Sequence, residues 1–575
     1  MPALLPTPTE TGISQRLGDF PRLTDALDYA ATGAGGMNFY TARGELADVI
    51  TWAQIREDAV TVGGRLIARG LAPGDRVAIV AETEADFSRV LMGCLFARLV
   101  PCPVPLPSAF GSRVAYGAQL RRIADVAGIS AALAPTMFRD WIAESLADRE
   151  LAFVGTLADL DNAPDRLANA EKPGTEELAY LQFSSGTTSF PKGVAVTHCA
   201  MMTNIRAMAT HGLVLREGDR GVSWLPYYHD MGLVGAVMLP VSCQMSADYL
   251  TTRDFILRPG IWLDLISRNR GTMTYSPSFA YDLAARRGRG GSELDLSSLR
   301  IAGIGGDLIK IANLHSFAQS FVASGFREDS FLPSYGMAEA ALGLSFSPVG
   351  FGVRTEQVDV DRLRDEQIAA PPQGDVRSRT FVVCGRPLPE HEIEIRDEAG
   401  AVLPEGRVGQ IFTRGPSLMR GYFGNSEETA RVLSAEGWLD TGDLGYMRDG
   451  EVVVTGRVKD LIIVNGRNIW PQDIEWSVEL NVEGAKEGGV AAFQLADEAD
   501  EVAEDERIGV VVECRRREPE EREALRAETR NVVRKVCGIY AHVALCAPGT
   551  LPRTSSGKLS RSKTRDMFRT GAFDG

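Results

Sequence analysis

The feature that most restricts the fold is a regular exchange of helix-like and strand-like segments over residues 46 to 100. "TWAQIREDAVTVGGRLIARGL" spaces its apolar residues for one face of a helix and is followed by the turn "APGD" and the strand-like "RVAIVA". A second helical stretch, "ADFSRVLMGCLFARLV", then leads into "PCPVPLP". Strands that alternate with helices argue for α/β layers, so the expected class is α/β. Similar units continue to about residue 345. From about residue 381 the texture changes to short alternating runs, such as Ile393 and Ile395, separated by turn signals. "EVVVTGRVKDLIIVNGRN" reads as a hairpin-like pair of strands joined through "GRVKD".

The expected organisation is a large multi-subdomain body over 1–457 with α/β layers, a small β-rich subdomain over about 381–457 and an inserted segment over about 348–378. A small, mobile α+β domain over 458–575 completes it. At 575 residues the chain is too long for one core, which agrees with that division. The run "ADEADEVAEDER" reads as a solvated loop.

Composition excludes several classes of partner. With 61 basic and 76 acidic residues the net charge is −15, unsuited to nucleic acid or an anionic membrane surface. The same field repels a triphosphate, so any nucleotide site must draw on local cations and backbone dipoles. Eight cysteines without a CxxC pair, and six dispersed histidines, give neither a disulfide framework nor a readable metal cluster. The N-terminus lacks the pattern of a signal peptide, and Met231–Met245 is too short for a membrane span and contains Pro240. The expectation is a cytoplasmic protein without a membrane span and with no nucleic-acid partner.

One loop carries chemistry on its face. In "YLQFSSGTTSFPKGVAVTH" (180–198), Tyr180–Phe183 and Val194–Val196 read as strands around a loop of hydroxyls, small residues and one lysine. Those are the parts of a phosphate cradle, although a Ser/Thr-rich surface hairpin has the same composition. It is not a P-loop, because Pro191 precedes Lys192 and Gly193 follows it.

"SSGTTSFPKG" resembles the phosphate loop of the adenylate-forming superfamily. "YGMAEA" (335–340), "WLDTGDLG" (438–445), "GRVKDLI" (456–462) and "TSSGK" (554–558) follow in that family's order. The resemblance implies ATP as substrate and Mg²⁺ as cofactor. Ser185, Gly186, Thr187, Thr188 and Lys192 would hold the pyrophosphate end of ATP, and Glu339 would ligate Mg²⁺. Tyr335 and Gly336, with Gly305, Gly306 and Asp307 of "GIGGD", would surround adenine. Asp443 and Arg457 would bind the ribose. Lys558 would be the catalytic cation between an attacking carboxylate and the α-phosphate, and Lys459 the hinge. His229 would gate the carboxylate end of an acyl pocket walled by Asp230, Ser278 and Tyr281. Plainer readings stand beside several of these: a helix-start glutamate for Glu339, a turn cap for Asp443, a core helix for 275–287.

Within the superfamily, "WLPYYHDMGL", "SPSFAYDL" and "GRNIWPQDIE" resemble the fatty acyl-AMP ligases. The polar, Pro/Gly-punctuated segment between Tyr335 and Gly385 resembles their insertion, with a tolerated surface loop as the alternative. Two departures stand out: Ser189 where the superfamily usually has Gly, and Ala338 where many relatives have Thr. The implied reaction forms acyl-AMP from a fatty acid and ATP, then passes the acyl group to a holo acyl carrier protein. No Gly-x-Asp-Ser-Leu segment occurs, so the carrier is expected in trans. A CoA synthetase and a non-catalytic ATP-binding scaffold are the alternatives.

Overall fold

The computed structural model describes residues 4–5, 10–107, 113–160, 171–183, 191–288, 294–464, 467–486, 488–495, 508–539, 541–554 and 558–573. The α/β class expected from the sequence is the class observed. Among the described residues the largest sheet has nine strands. Its centre is parallel and runs, in spatial order, Phe331–Gly336, Ile301–Ile304, Met273–Ser276, Gly221–Ser223, Ala247–Tyr249 and Gly36–Tyr40. Antiparallel strands flank this centre, Gly343–Phe346 and then Arg386–Pro387 on one side and Leu46–Thr51 on the other.

The helices Gly260–Arg268, Ser278–Arg287 and Ile311–Phe321 lie between consecutive strands of this sheet in sequence, as parallel pairing requires. Their apolar stripes bury Trp262, Tyr281 and Phe317 in one core with Phe255 and Phe331. A second parallel sheet orders Val100–Val104, Arg76–Val80, Ile129–Leu133 and Phe153–Gly155. The helix Trp52–Ala68 that precedes it starts on a capping box: Thr51 accepts from the Gln54 amide at 3.1 Å, and the Gln54 side chain accepts from the Thr51 amide at 2.9 Å.

Leu178–Phe183 and Gly193–Thr197 pair antiparallel, as the sequence around the phosphate loop predicts. The hairpin expected through "GRVKD" does not form. Glu451–Arg457 instead pairs with Leu439–Arg448 in a four-stranded antiparallel sheet, while Ile462–Val464 pairs with Arg467–Ile469. Local sequence showed two good strands but not their partners. Between them Val458–Asp460 makes one 3₁₀ turn.

The segment expected as an insertion is not a surface loop. Thr355–Asp359 pairs with Ser378–Val382, and Asp359 caps the helix Val360–Glu366 by accepting from the amides of Asp361 and Arg362. Val358 and Leu363 are buried with Phe381, Tyr446, Val453 and Trp470.

The C-terminal residues build a separate three-stranded sheet, Val490–Gln494, Ile508–Glu513 and His542–Cys546, against the helices Pro471–Asn481 and Pro519–Cys537. This unit meets the body through Trp470, buried with Val358 and Phe381, and through charge. Lys310 Nζ lies 3.0 Å from Glu479 Oε2, Arg379 Nη1 lies 2.7 Å from Asp473 Oδ1, and Arg377 donates to the Val536 carbonyl at 2.9 Å. Among the described residues no helix is long and apolar enough to cross a membrane. The run "ADEADEVAEDER" (496–507) lies outside the described residues.

Candidate active site

A cavity of about 740 Å³ opens at the carboxyl ends of the central parallel strands, where open α/β sheets bind their ligands. Gly305, Gly306 and Asp307 follow Ile301–Ile304 into its wall, and Tyr335 and Gly336 end the neighbouring strand. Gly306 has φ +82°, and a Cβ there would come within 2.8 Å of Met231 Cε and 3.5 Å of Lys558 Nζ. Only glycine lets the backbone turn this tightly beside both side chains.

The antiparallel sheet adds Asp443 and Arg457, which are cross-strand partners in register. Tyr335 donates to Asp443 Oδ2 at 2.8 Å, and Arg457 Nε lies 3.2 Å from Oδ1. Burial pushes the Asp443 carboxyl above the ordinary range, against the pull of Arg457 and the Tyr335 hydroxyl. Burial raises the Tyr335 hydroxyl further still, and Asp443 adds to that. The phenol therefore remains a donor, and Asp443, which lines the cavity, holds Tyr335 on one oxygen and Arg457 on the other.

Lys558 enters from the C-terminal unit. Burial, with help from Arg457, draws its ammonium below the usual lysine value, and Asp307, Asp230 and Asp443 oppose that shift. The lysine is thus held in a partly desolvated place among carboxylates. A new anion beside it would gain more than it would in water. Across the cavity His229 Nδ1 lies 2.6 Å from Asp230 Oδ1, which also accepts from the Met231 amide at 2.8 Å. Although burial works to raise the Asp230 carboxyl, His229, Lys558 and that amide hold it below the ordinary range.

Glu339 sits in the same wall and accepts from the Tyr422 hydroxyl at 2.9 Å. Desolvation pushes its carboxyl up, opposed by Tyr422. Lys192 also lines the cavity, paired with Glu428 and lying 4.7 Å from the centre of the Tyr422 ring. Lys459 lines it from the 3₁₀ turn.

Two residues expected at the acyl end are not there. Ser278 and Tyr281 lie on a core helix, and the Tyr281 hydroxyl is spent on the Gly303 carbonyl at 2.9 Å. Tyr281 packs against Trp262 and Phe331, Ser278 is buried at the start of the same helix, and Tyr275 of the preceding strand lines the cavity instead. Ser185, Gly186, Thr187 and Thr188 lie outside the described residues. Sequence reasoning missed Tyr422, Glu428 and Arg561. Arg561 donates to both Glu475 oxygens and to Asp460 Oδ2, each at 2.7 Å. Its one sequence signal is that it follows Lys558 by three residues.

The model of the AMP-binding enzyme family matches residues 37–423. The chain belongs to that family. The long-chain-fatty-acid–AMP ligase FadD32 of Mycolicibacterium smegmatis is 31% identical over 93% of this chain and 91% of its own. A putative acyl-CoA synthetase of Caulobacter vibrioides is 47% identical over 99% of both chains. A solved structure from work on fatty acyl-adenylate ligases of E. coli and L. pneumophila superposes with a TM-score of 0.92 and 41% identity, covering 98% of this chain and 100% of that one.

Proposed function

We propose that this AMP-binding enzyme activates a fatty acid with ATP to give acyl-AMP and pyrophosphate. It then hands the acyl group to the phosphopantetheine thiol of an acyl carrier protein. The observation that carries the reading is the presence of Lys558 in one cavity with the Tyr335–Asp443–Arg457 cluster and apolar lining residues such as Met208, Leu239 and Met273. In the first step a carboxylate oxygen attacks the α-phosphorus and the bond to the bridging oxygen breaks, releasing pyrophosphate. Two anions must approach, and Lys558 supplies the charge between them. Asp443 takes the ribose hydroxyls beside Arg457, and Gly305–Asp307 with Tyr335 and Gly336 flank the base. His229, oriented by Asp230, stands at the carboxylate end. Ser185, Gly186, Thr187, Thr188 and Lys192 hold the leaving pyrophosphate.

The Glu339 carboxylate fits a Mg²⁺ site, because a desolvated carboxylate with one hydroxyl partner gains from a cation. Mg²⁺ is commonly held by one carboxylate plus phosphates and water. When bound, the ion would neutralise phosphate charge. In the second step the thiol sulfur attacks the acyl carbonyl carbon and AMP leaves. Lys558 must first withdraw, and the turn at Lys459 is the hinge between a body ending at 457 and a mobile unit from 458. A cytoplasmic location fits the eight free cysteines.

CoA is the second reading for the acceptor, favoured by the name of the Caulobacter relative. The packed 355–382 segment favours the carrier protein. The deciding experiment gives the purified enzyme ATP, Mg²⁺ and a fatty-acid panel, with CoA or holo carrier protein in separate arms. Acyl-AMP should form without either acceptor, and the carrier should be loaded faster than CoA. Lys558→Ala should slow acyl-AMP formation about a hundredfold or more while the fold stays intact. Near-normal adenylation by that variant would overturn the assignment of Lys558.

A further inference from the structure

The cavity has a second end. From the level of Ser276 it follows the sheet face back to Met273, three residues or about 10 Å along the strand. There its walls are Met208, Leu213, Leu239, Met245, Met273 and Phe346, none of them charged. Phe346 is a fixed wall: a Cβ at Gly212 would stand 2.9 Å from its ring and one at Gly343 only 2.7 Å away. Those two bare backbones seat the ring.

Gly221 occupies the middle of this region. Its strand is flanked on both sides, with Gly221 in register with Ala247 and with Met273. A residue hydrogen-bonded between two neighbours inside a sheet is normally covered, yet Gly221 is only half-buried. What it faces is the open space of the cavity. A Cβ at 221 would meet only the Ala247 Cβ, at 3.6 Å, an ordinary contact, and no positive φ demands glycine there. Neither the backbone nor the sheet needs glycine at this position; the cavity does.

We infer that Gly221 sets the length of acyl chain the enzyme accepts, by leaving unfilled the space that the distal methylenes of a long chain occupy. The inference rests on the fatty-acid reading above. An octanoyl chain with its carboxyl carbon near Lys558 ends short of Gly221, whereas a palmitoyl chain passes over it. A side chain at 221 would compete with the far methylenes alone.

The test is equilibrium binding of palmitate and octanoate to the full-length enzyme by titration calorimetry, alongside acyl-AMP formation from each. Gly221→Leu should weaken palmitate binding by about tenfold or more, the loss expected when a few methylenes are returned to water, and leave octanoate within about twofold. Gly221→Ala should be nearly silent for both. Gly221→Val, shorter and a good strand former, carries the same test with a smaller effect if the leucine variant fails to fold. Equal losses for both acids, or unchanged palmitate binding in a folded leucine or valine variant, would overturn the inference. If the unaltered enzyme binds palmitate but never adenylates it, the ligase reading falls while Gly221 is still judged on binding. If it binds neither acid, both fall.

Discussion

Single residues in this protein are set as much by what surrounds them as by their own chemistry. Glu84 precedes the helix Ala85–Phe96 without capping it, and burial pushes its carboxyl up to about 7, with Asp86 and Glu82 adding and Arg89 opposing. A carboxyl raised on folding stabilises the native state below its unfolded value of about 4.5, and that contribution is lost as pH rises through about 7. Glu84→Gln removes the titration. The variant should therefore melt above the unaltered enzyme at about pH 8, by on the order of a degree, and the gap should narrow toward about pH 5. Parallel melting curves for the two proteins across that range would show that Glu84 is not titrating. The same logic explains which site residues could be read from sequence. Asp443, Arg457 and Lys558 stand in motifs that resemble those of the adenylate-forming superfamily, and that resemblance singled them out. Tyr422 and Glu428 reach the cavity only because Gly421–Tyr422 pairs with Gly193–Thr197, a contact between segments some 225 positions apart that no local pattern encodes.

Elements show where local reading holds and where it stops. The helix Trp52–Ala68 and the pair around the phosphate loop were legible because periodicity and caps lie within the segment itself. The strands flanking "GRVKD" were legible as strands, but their partners belong to two different sheets. Ser278 and Tyr281 failed for a related reason, since a helix motif gives no sign of which face meets the cavity. The start of the C-terminal helix Arg561–Arg569 is a case where tertiary contacts decide. Arg561 is tied to Glu475, only 5% exposed, and to Asp460. Removing one partner from a buried ion cluster leaves the others desolvated and unpaired, at a cost of roughly 3 kcal/mol or more. Arg561→Met should destabilise the protein by that amount in denaturant unfolding and slow adenylation, because Lys558 lies three residues before the helix start that the cluster holds. Arg561→Lys should recover only part of the loss, since an ammonium cannot make the forked pair with Glu475. Unchanged unfolding in both variants would show that the cluster contributes nothing.

At the scale of the whole molecule the proposed cycle asks one connection to serve two arrangements. Arg457 is extended, with φ −118° and ψ 140°, and Val458 opens the 3₁₀ turn. Those are the conformations a proline at 458 prefers for itself and for the residue before it. Proline at 459 would instead push Val458 out of the turn. Val458→Pro should thus keep the arrangement in which Lys558 lies in the cavity. It should still form acyl-AMP at near-normal rates yet load a carrier several-fold more slowly, a split that half-reaction assays resolve. Equal effects on both steps would place the pivot elsewhere.

The contacts that hold the C-terminal unit against the body have a bearing on such a cycle. At Lys310, Arg377 and Arg379 the body presents cations, and the other unit answers with Glu479, a carbonyl and Asp473. Greasy surfaces resist separation because water gains nothing from them, whereas each of these groups is hydrated again the moment it lets go. In the proposed cycle dissolved salt would reach the half-exposed Arg377 first and Arg379 and Glu479, each 7% exposed, last, so ionic strength would loosen this clutch from its rim inward.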